Sequence, residues 1–121
     1  MRKLVLAAAM IAAMPVAASA ADAEAGKAVF GKCKACHQIG EGAKNAVGPM
    51  LTGIVGKKAG AAEGFNYSEA VKASGVTWDE AALKEWLTDP KKKIAGNKMV
   101  FMGLKDAADI DNVIEYLKTA K

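Results

Sequence analysis

Residues 33–37 read Cys33-Lys34-Ala35-Cys36-His37, and they hold both cysteines and the only histidine of the 121-residue chain. Three chemistries compete for such a stretch. A redox dithiol uses the C-x-x-C spacing, but on a βαβ framework, and this chain has almost no strand-like alternation. A structural zinc ion takes four ligands, and only three stand here. Covalent haem attachment has C-x-x-C-H as its signature. The two thiols add to the haem vinyl groups as thioethers, and the following histidine turns a ring nitrogen to the iron. Two intervening residues set that spacing on one helical turn. A lone histidine elsewhere would read as a hydrogen-bonded core residue; directly after C-x-x-C it reads as a ligand.

The N-terminus agrees with that chemistry. Residues 1–20 open with Arg2 and Lys3, run apolar from Leu4 to Met14, break at Pro15 and end Ala18-Ser19-Ala20. This is the layout of a cleaved secretory signal. An uncleaved anchor would want about 20 strongly apolar residues, and this run is alanine-rich with a proline inside it. Cleavage after Ala20 leaves residues 21–121 as one domain, exported to the periplasm, where haem c is attached. The mature chain carries a net charge of +2 against +4 for the whole.

Beyond the motif the chain reads as helices joined by glycine-rich loops. A helix over residues 22–35 runs into CKACH. Residues 40–64 hold seven glycines and read as loop. YSEAVKASG gives a short helix starting near Ser68 and stopping at Gly75. In TWDEAALKEWL, Thr77 and Glu80 have capping-box spacing, and Leu83, Trp86 and Leu87 share a face. Asp89-Pro90 closes that helix, and residues 91–105 read as irregular. Ile110, Val113, Ile114 and Leu117 mark a final amphipathic helix. Such a small apolar inventory needs help to hold a fold, and a buried haem would supply it.

With a single histidine, His/His ligation within the chain is excluded. The sixth ligand is methionine, lysine, water or nothing. Methionine is the natural choice, because a neutral thioether favours reduced iron; Met50, Met99 and Met102 are available, each with core filling as its ordinary use.

From Gly26 onward the chain resembles class I cytochrome c, especially the short bacterial cytochrome c2 and mitochondrial-like group. GKAVFGKCKACH looks like the family's opening helix, GPML like its G-P-x-L, and GFNYSEAVKASGVTW like its propionate-side segment. DPKKKIAGNKMVFMGL looks like the ligand loop and DNVIEYLK like the closing helix. The resemblance implies an all-α fold in which N- and C-terminal helices cross and helices and loops wrap one covalently attached, low-spin haem c. Cys33 and Cys36 would carry the thioethers, and His37 and Met99 would be the axial ligands. The Pro49 carbonyl would orient His37; Tyr67, Trp78 and Asn97 would hydrogen-bond near the propionates; and Phe101 would cover the haem edge. Gly26 and Phe30 would pack near Val113 and Tyr116. Three departures stand out: Lys57 where an arginine is usual, Trp86 where a tyrosine often bonds the methionine sulfur, and Met102 as a competitor for the iron. Met50, in the variable place of G-P-x-L, would be packing.

Charge is distributed unevenly. Residues 27–58 hold six lysines and one acid, and residues 91–105 hold five lysines and none; residues 63–89 hold six acids against two lysines. The basic segments coincide with the haem-binding ones, which predicts a positive docking rim. Lys32, Lys91, Lys92, Lys98 and Lys105 are the first candidates, with Lys34, Lys44 and Lys93 after them. A solvated lysine face is the bland alternative. The expected function is a soluble, monomeric one-electron carrier in the periplasm, not an enzyme, with no nucleic-acid partner and no stable membrane insertion. The resemblance implies a bc1-type complex or a periplasmic dehydrogenase as donor, and a terminal oxidase or photosynthetic reaction centre as acceptor. A peroxidase or gas sensor would need an open or displaceable sixth position, and no distal histidine exists.

Overall fold

The computed structural model describes residues 21–121; residues 1–20, expected to be a cleaved signal, lie outside the described residues. The described residues form five helices in chain order: α1 Ala23–Phe30, α2 Glu69–Ala73, α3 Glu80–Thr88, α4 Pro90–Lys93 and α5 Ala107–Thr119. The described residues contain no strand, only one antiparallel bridge between Lys58 and Thr77. The expected all-α architecture is therefore the one observed.

The two terminal helices make the central contact. Asp22 caps α1 by accepting from the Glu24 N–H, and its own N–H donates to Asn112 Oδ1 at 2.8 Å. Gly26 is buried against α5, where a side-chain methyl would fall 1.9 Å from the Asn112 carbonyl oxygen. Phe30, almost wholly buried, packs against Tyr116 with ring centroids 5.3 Å apart and planes tilted by 53°. The apolar stripe of α5 (Ile110, Val113, Ile114, Leu117) is buried along its length. It meets Leu83 and Leu87 of α3, Ile94 and Leu104 in one core.

Several element boundaries differ from those expected. Helix α1 stops at Phe30, and residues 31–36 continue as turns. Helix α3 is capped by Asp79, whose side chain accepts from the Ala82 N–H at 2.8 Å. Thr77, the expected cap, is held two residues earlier in the bridge to Lys58. Asp89-Pro90 ends α3 as predicted, yet also begins α4: the Asp89 carboxylate accepts from the Lys92 N–H, with Pro90 in the first turn. A proline that cannot continue one helix is well suited to open the next. The short α2 is capped by Ser68, and the chain leaves it through Gly75 at φ +66°.

Candidate functional site

The C-x-x-C-H stretch forms a single helical turn. The His37 N–H donates to the Cys33 carbonyl at 2.9 Å, which brings Cys33, Cys36 and His37 to one end of the turn. All three line a cavity of about 360 Å³, within the range of cofactor sites. Neither cysteine is in a disulfide. Burial pushes the Cys33 thiol above its ordinary value, Cys36 adds to the rise and Lys32 opposes it. Redox dithiols depend on a lowered value, so this environment disfavours that reading.

His37 is fixed from behind. Its Nδ1 lies 2.7 Å from the Pro49 carbonyl, so Nδ1 carries the proton and donates, leaving Nε2 free. The segment holding Pro49 is pinned to the motif by Gly48 N–H to Cys36 O at 2.7 Å and Leu51 N–H to Gln38 O at 2.9 Å. Gly48 has to be glycine, since a methyl there would sit 2.3 Å from His37 Cε1. Gly48→Ala is therefore expected to push the imidazole off Pro49. Overpacking of this kind costs about 1–3 kcal/mol, read as a lower Tm. Loss of the hydrogen bond makes the imidazole a poorer donor, read as a higher reduction potential.

The remaining wall is apolar: Leu51, Ile54, Leu83, Leu87, Val113 and Leu117 contribute to it. Tyr67 and Trp78 add two polar handles. The Tyr67 oxygen accepts from the Ala62 N–H at 2.9 Å, leaving its proton free to donate. Among the described residues the Trp78 indole N–H meets no protein acceptor. A flat apolar group with a few acceptor oxygens, anchored by two thioethers beside an imidazole, fits this lining. Haem c is such a group.

Met99 and Phe101 line the same cavity. Met102 does not: it is 82% exposed and borders only a second recess along residues 97–103, which Met99 and Phe101 also line. Met50 lies on the wall beside Pro49. Trp86 also lines the cavity, edge-on to Trp78 with centroids 5.1 Å apart. Asn97 borders the cavity, and its amide bonds to protein: Nδ2 donates to the Pro90 and Ile94 carbonyls, and Oδ1 accepts from the Met99 N–H.

The lysines divide by position. Three lie in ion pairs outside the basic runs: Lys72 with Glu69, Lys84 with Asp111, and Lys118 with Glu80 and Glu115. Lys93, a candidate for docking, is instead held by Glu85 at 2.6 Å and is half-buried. Lys32, Lys91, Lys92, Lys98 and Lys105 are exposed and form no ion pair among the described residues. Lys32 and Lys98 line the cavity, together with Lys57 and Lys58, which the charge runs had not singled out as docking residues.

A small all-α domain whose C-x-x-C-H turn opens into an apolar cavity, with the imidazole locked to a proline carbonyl, defines a covalent haem-binding electron-transfer domain. Comparison with known proteins agrees. The family model for cytochrome c matches residues 23–121. Cytochrome c2 of Rhodoblastus acidophilus is 58% identical over 102 residues, covering 84% of this chain and 95% of that protein. Cytochrome c2 of Blastochloris viridis is 49% identical over 118 residues, covering 98% and 93%. The solved structure of cytochrome cH from Methylobacterium extorquens superposes with a TM-score of 0.77 at 56% identity, covering 81% of this chain and 98% of that one. The chain belongs to the cytochrome c family: it carries covalently attached haem c and is an electron carrier of the bacterial class I type, not an enzyme.

Proposed function

We propose that the protein is a soluble periplasmic one-electron carrier whose haem iron is held between His37 and Met99 and whose basic cavity rim docks acidic redox partners. The donor would be a bc1-type complex or a periplasmic dehydrogenase, the acceptor a terminal oxidase or a photosynthetic reaction centre. Export rests on the signal layout of residues 1–20. Among the described residues no helix is long and apolar enough to cross a membrane.

Support for the ligand pair comes from the wall. His37 presents a free Nε2 there because Pro49 holds Nδ1. Met99 stands on the wall while Met102 faces outward, and Met50 adjoins the proline that braces the histidine. The haem, when bound, supplies an iron that changes oxidation state by one electron. The chain excludes water from it, fixes the imidazole proton on Nδ1 and offers a soft sulfur.

The observation that carries the docking reading is that four lysines line the cavity, Lys32, Lys57, Lys58 and Lys98, and none of them forms an ion pair among the described residues. Val47 and Val100, both strongly exposed, lie at that mouth, giving the rim an apolar centre. A basic rim should discriminate between small redox reagents by charge. Oxidation of the reduced protein by hexacyanoferrate(III) should slow by roughly tenfold between low salt and about 0.15 M, as the Debye length shrinks. Oxidation by the cationic tris(phenanthroline)cobalt(III) should speed up instead. Lys98→Glu should weaken the anionic reaction several-fold, and Lys84→Glu should change it little. Rates insensitive to salt, or equal effects of the two variants, would remove the rim from the reading.

A further inference from the structure

The segment carrying Met99 is an arch with few fixings. Among the described residues, no backbone N–H of Lys98, Val100, Phe101, Met102 or Gly103 donates to protein, and no carbonyl of residues 98–103 accepts. The far foot is Leu104, whose N–H donates to the Leu87 carbonyl at 2.7 Å. There Gly103, at φ +96°, passes so close to Thr88 O that a methyl would lie 2.1 Å from it. The near foot is Asn97. One amide group makes three hydrogen bonds there: Nδ2 to Pro90 O at 3.0 Å, Nδ2 to Ile94 O at 2.9 Å, and Met99 N–H to Oδ1 at 2.9 Å.

We propose that Asn97 is the positioning residue for Met99. Its side chain ties the backbone of Met99 to the buried Pro90 and Ile94, so that the thioether is held at the cavity wall before any ligand bond forms. The inference rests on Met99 as the sixth ligand. Each part of the amide has a task. The two N–H groups grip α4 and the residue after it, and the oxygen grips Met99. Pro90 and Ile94 are themselves buried in the core, so the anchor is rigid. Without the amide, the first fixed point before Met99 is the Asn97 N–H to Ile94 O contact, which is long at 3.3 Å. The segment between it and Leu104 would then move freely.

The variants separate positioning from plain stability. Asn97→Ala removes all three bonds. Asn97→Asp keeps the oxygen for Met99 but sets a carboxylate against two carbonyls. Asn97→Thr restores one acceptor. The readouts on the haem-loaded protein are the far-red sulfur-to-iron absorption band, the pH at which it vanishes, and the rate of carbon monoxide binding by the reduced form. Thermal melting is recorded beside them. Asn97→Ala should bind carbon monoxide about tenfold faster or more, the loss of a few modest hydrogen bonds, and should lose the band at lower pH. Asn97→Asp should fall near Asn97→Ala, and Asn97→Thr between Ala and wild type. If Asn97→Ala or, should that variant not fold, Asn97→Asp merely melts earlier while band, pH midpoint and carbon monoxide rate stay at wild-type values, the amide is structural and the inference is overturned. Met99→Ala is run in parallel. If it keeps the band, the ligand assignment has failed and takes the inference with it. If it loses the band while the Asn97 variants keep theirs, only the inference fails.

Discussion

Replacing Met99 with alanine is expected to abolish the far-red absorption band of the oxidised protein, to lower the reduction potential and to make the reduced protein bind carbon monoxide rapidly. The potential should fall by an amount on the order of 100 mV, a modest part of the roughly 0.8 V that axial ligands command. The direction follows from the thioether: a neutral soft ligand favours reduced iron, and water in its place does not. The replacement should leave the terminal-helix contact intact, since Met99 lies on the cavity wall and not between α1 and α5. Helical circular dichroism should therefore change little while the spectrum and potential change greatly. Retention of the band would transfer the ligand role to another sulfur. Met102→Ala, which removes a side chain 82% exposed to solvent, is the control expected to be silent in all three readouts.

The largest effect on stability is expected from Gly26→Ala. In an isolated helix alanine would be preferred over glycine by up to about 1 kcal/mol, so local propensity predicts stabilisation. Packing predicts the reverse. The added methyl would stand 1.9 Å from the Asn112 carbonyl oxygen and 2.9 Å from Tyr116 Cβ. The nearer obstacle is backbone and cannot rotate away, so α1 and α5 would have to separate. That opens the contact around Phe30 and Val113, each 1% exposed. A loss of about 3 kcal/mol or more is expected, the upper end of overpacking costs. For a domain of this size that corresponds to a fall in Tm of at least roughly 12 °C. An unchanged or raised Tm would mean that the helices cross with more room than they show.

The sequence was most informative where chemistry compels a residue type. CKACH and the stripe on α5 could be read directly, because thioether attachment and a buried helix face each leave a fixed spacing; the part played by Pro49 came only through the resemblance of GPML to a family motif. It was less informative where one residue serves two neighbours. Asp89 ends α3 and caps α4; a breaker signal announces the first role and hides the second. Thr77 and Asp79 both suit a helix start, and what decides between them is the bridge from Lys58, a contact made across the chain. Lys93 reads as one member of a basic run, but its ion pair with Glu85 spans eight residues and the α3–α4 corner, beyond any helical spacing rule. Asn97 is the clearest case. An asparagine after a glycine suggests a turn, and nothing local reveals that the chain folds back to bring two carbonyls within reach of its amide.

The contact between Asp22 and Asn112 joins residues 90 positions apart, and this has a consequence for the order in which the molecule can be assembled. A chain delivered from its N-terminus presents Cys33 and Cys36 early and α5 last. Until α5 arrives, α1 has nothing to bury Phe30 against, and the wall of Val113 and Leu117 does not exist. The cavity is therefore whole only once the two ends of the chain have met, and anything that parts them removes a wall of the site as well as a helix contact.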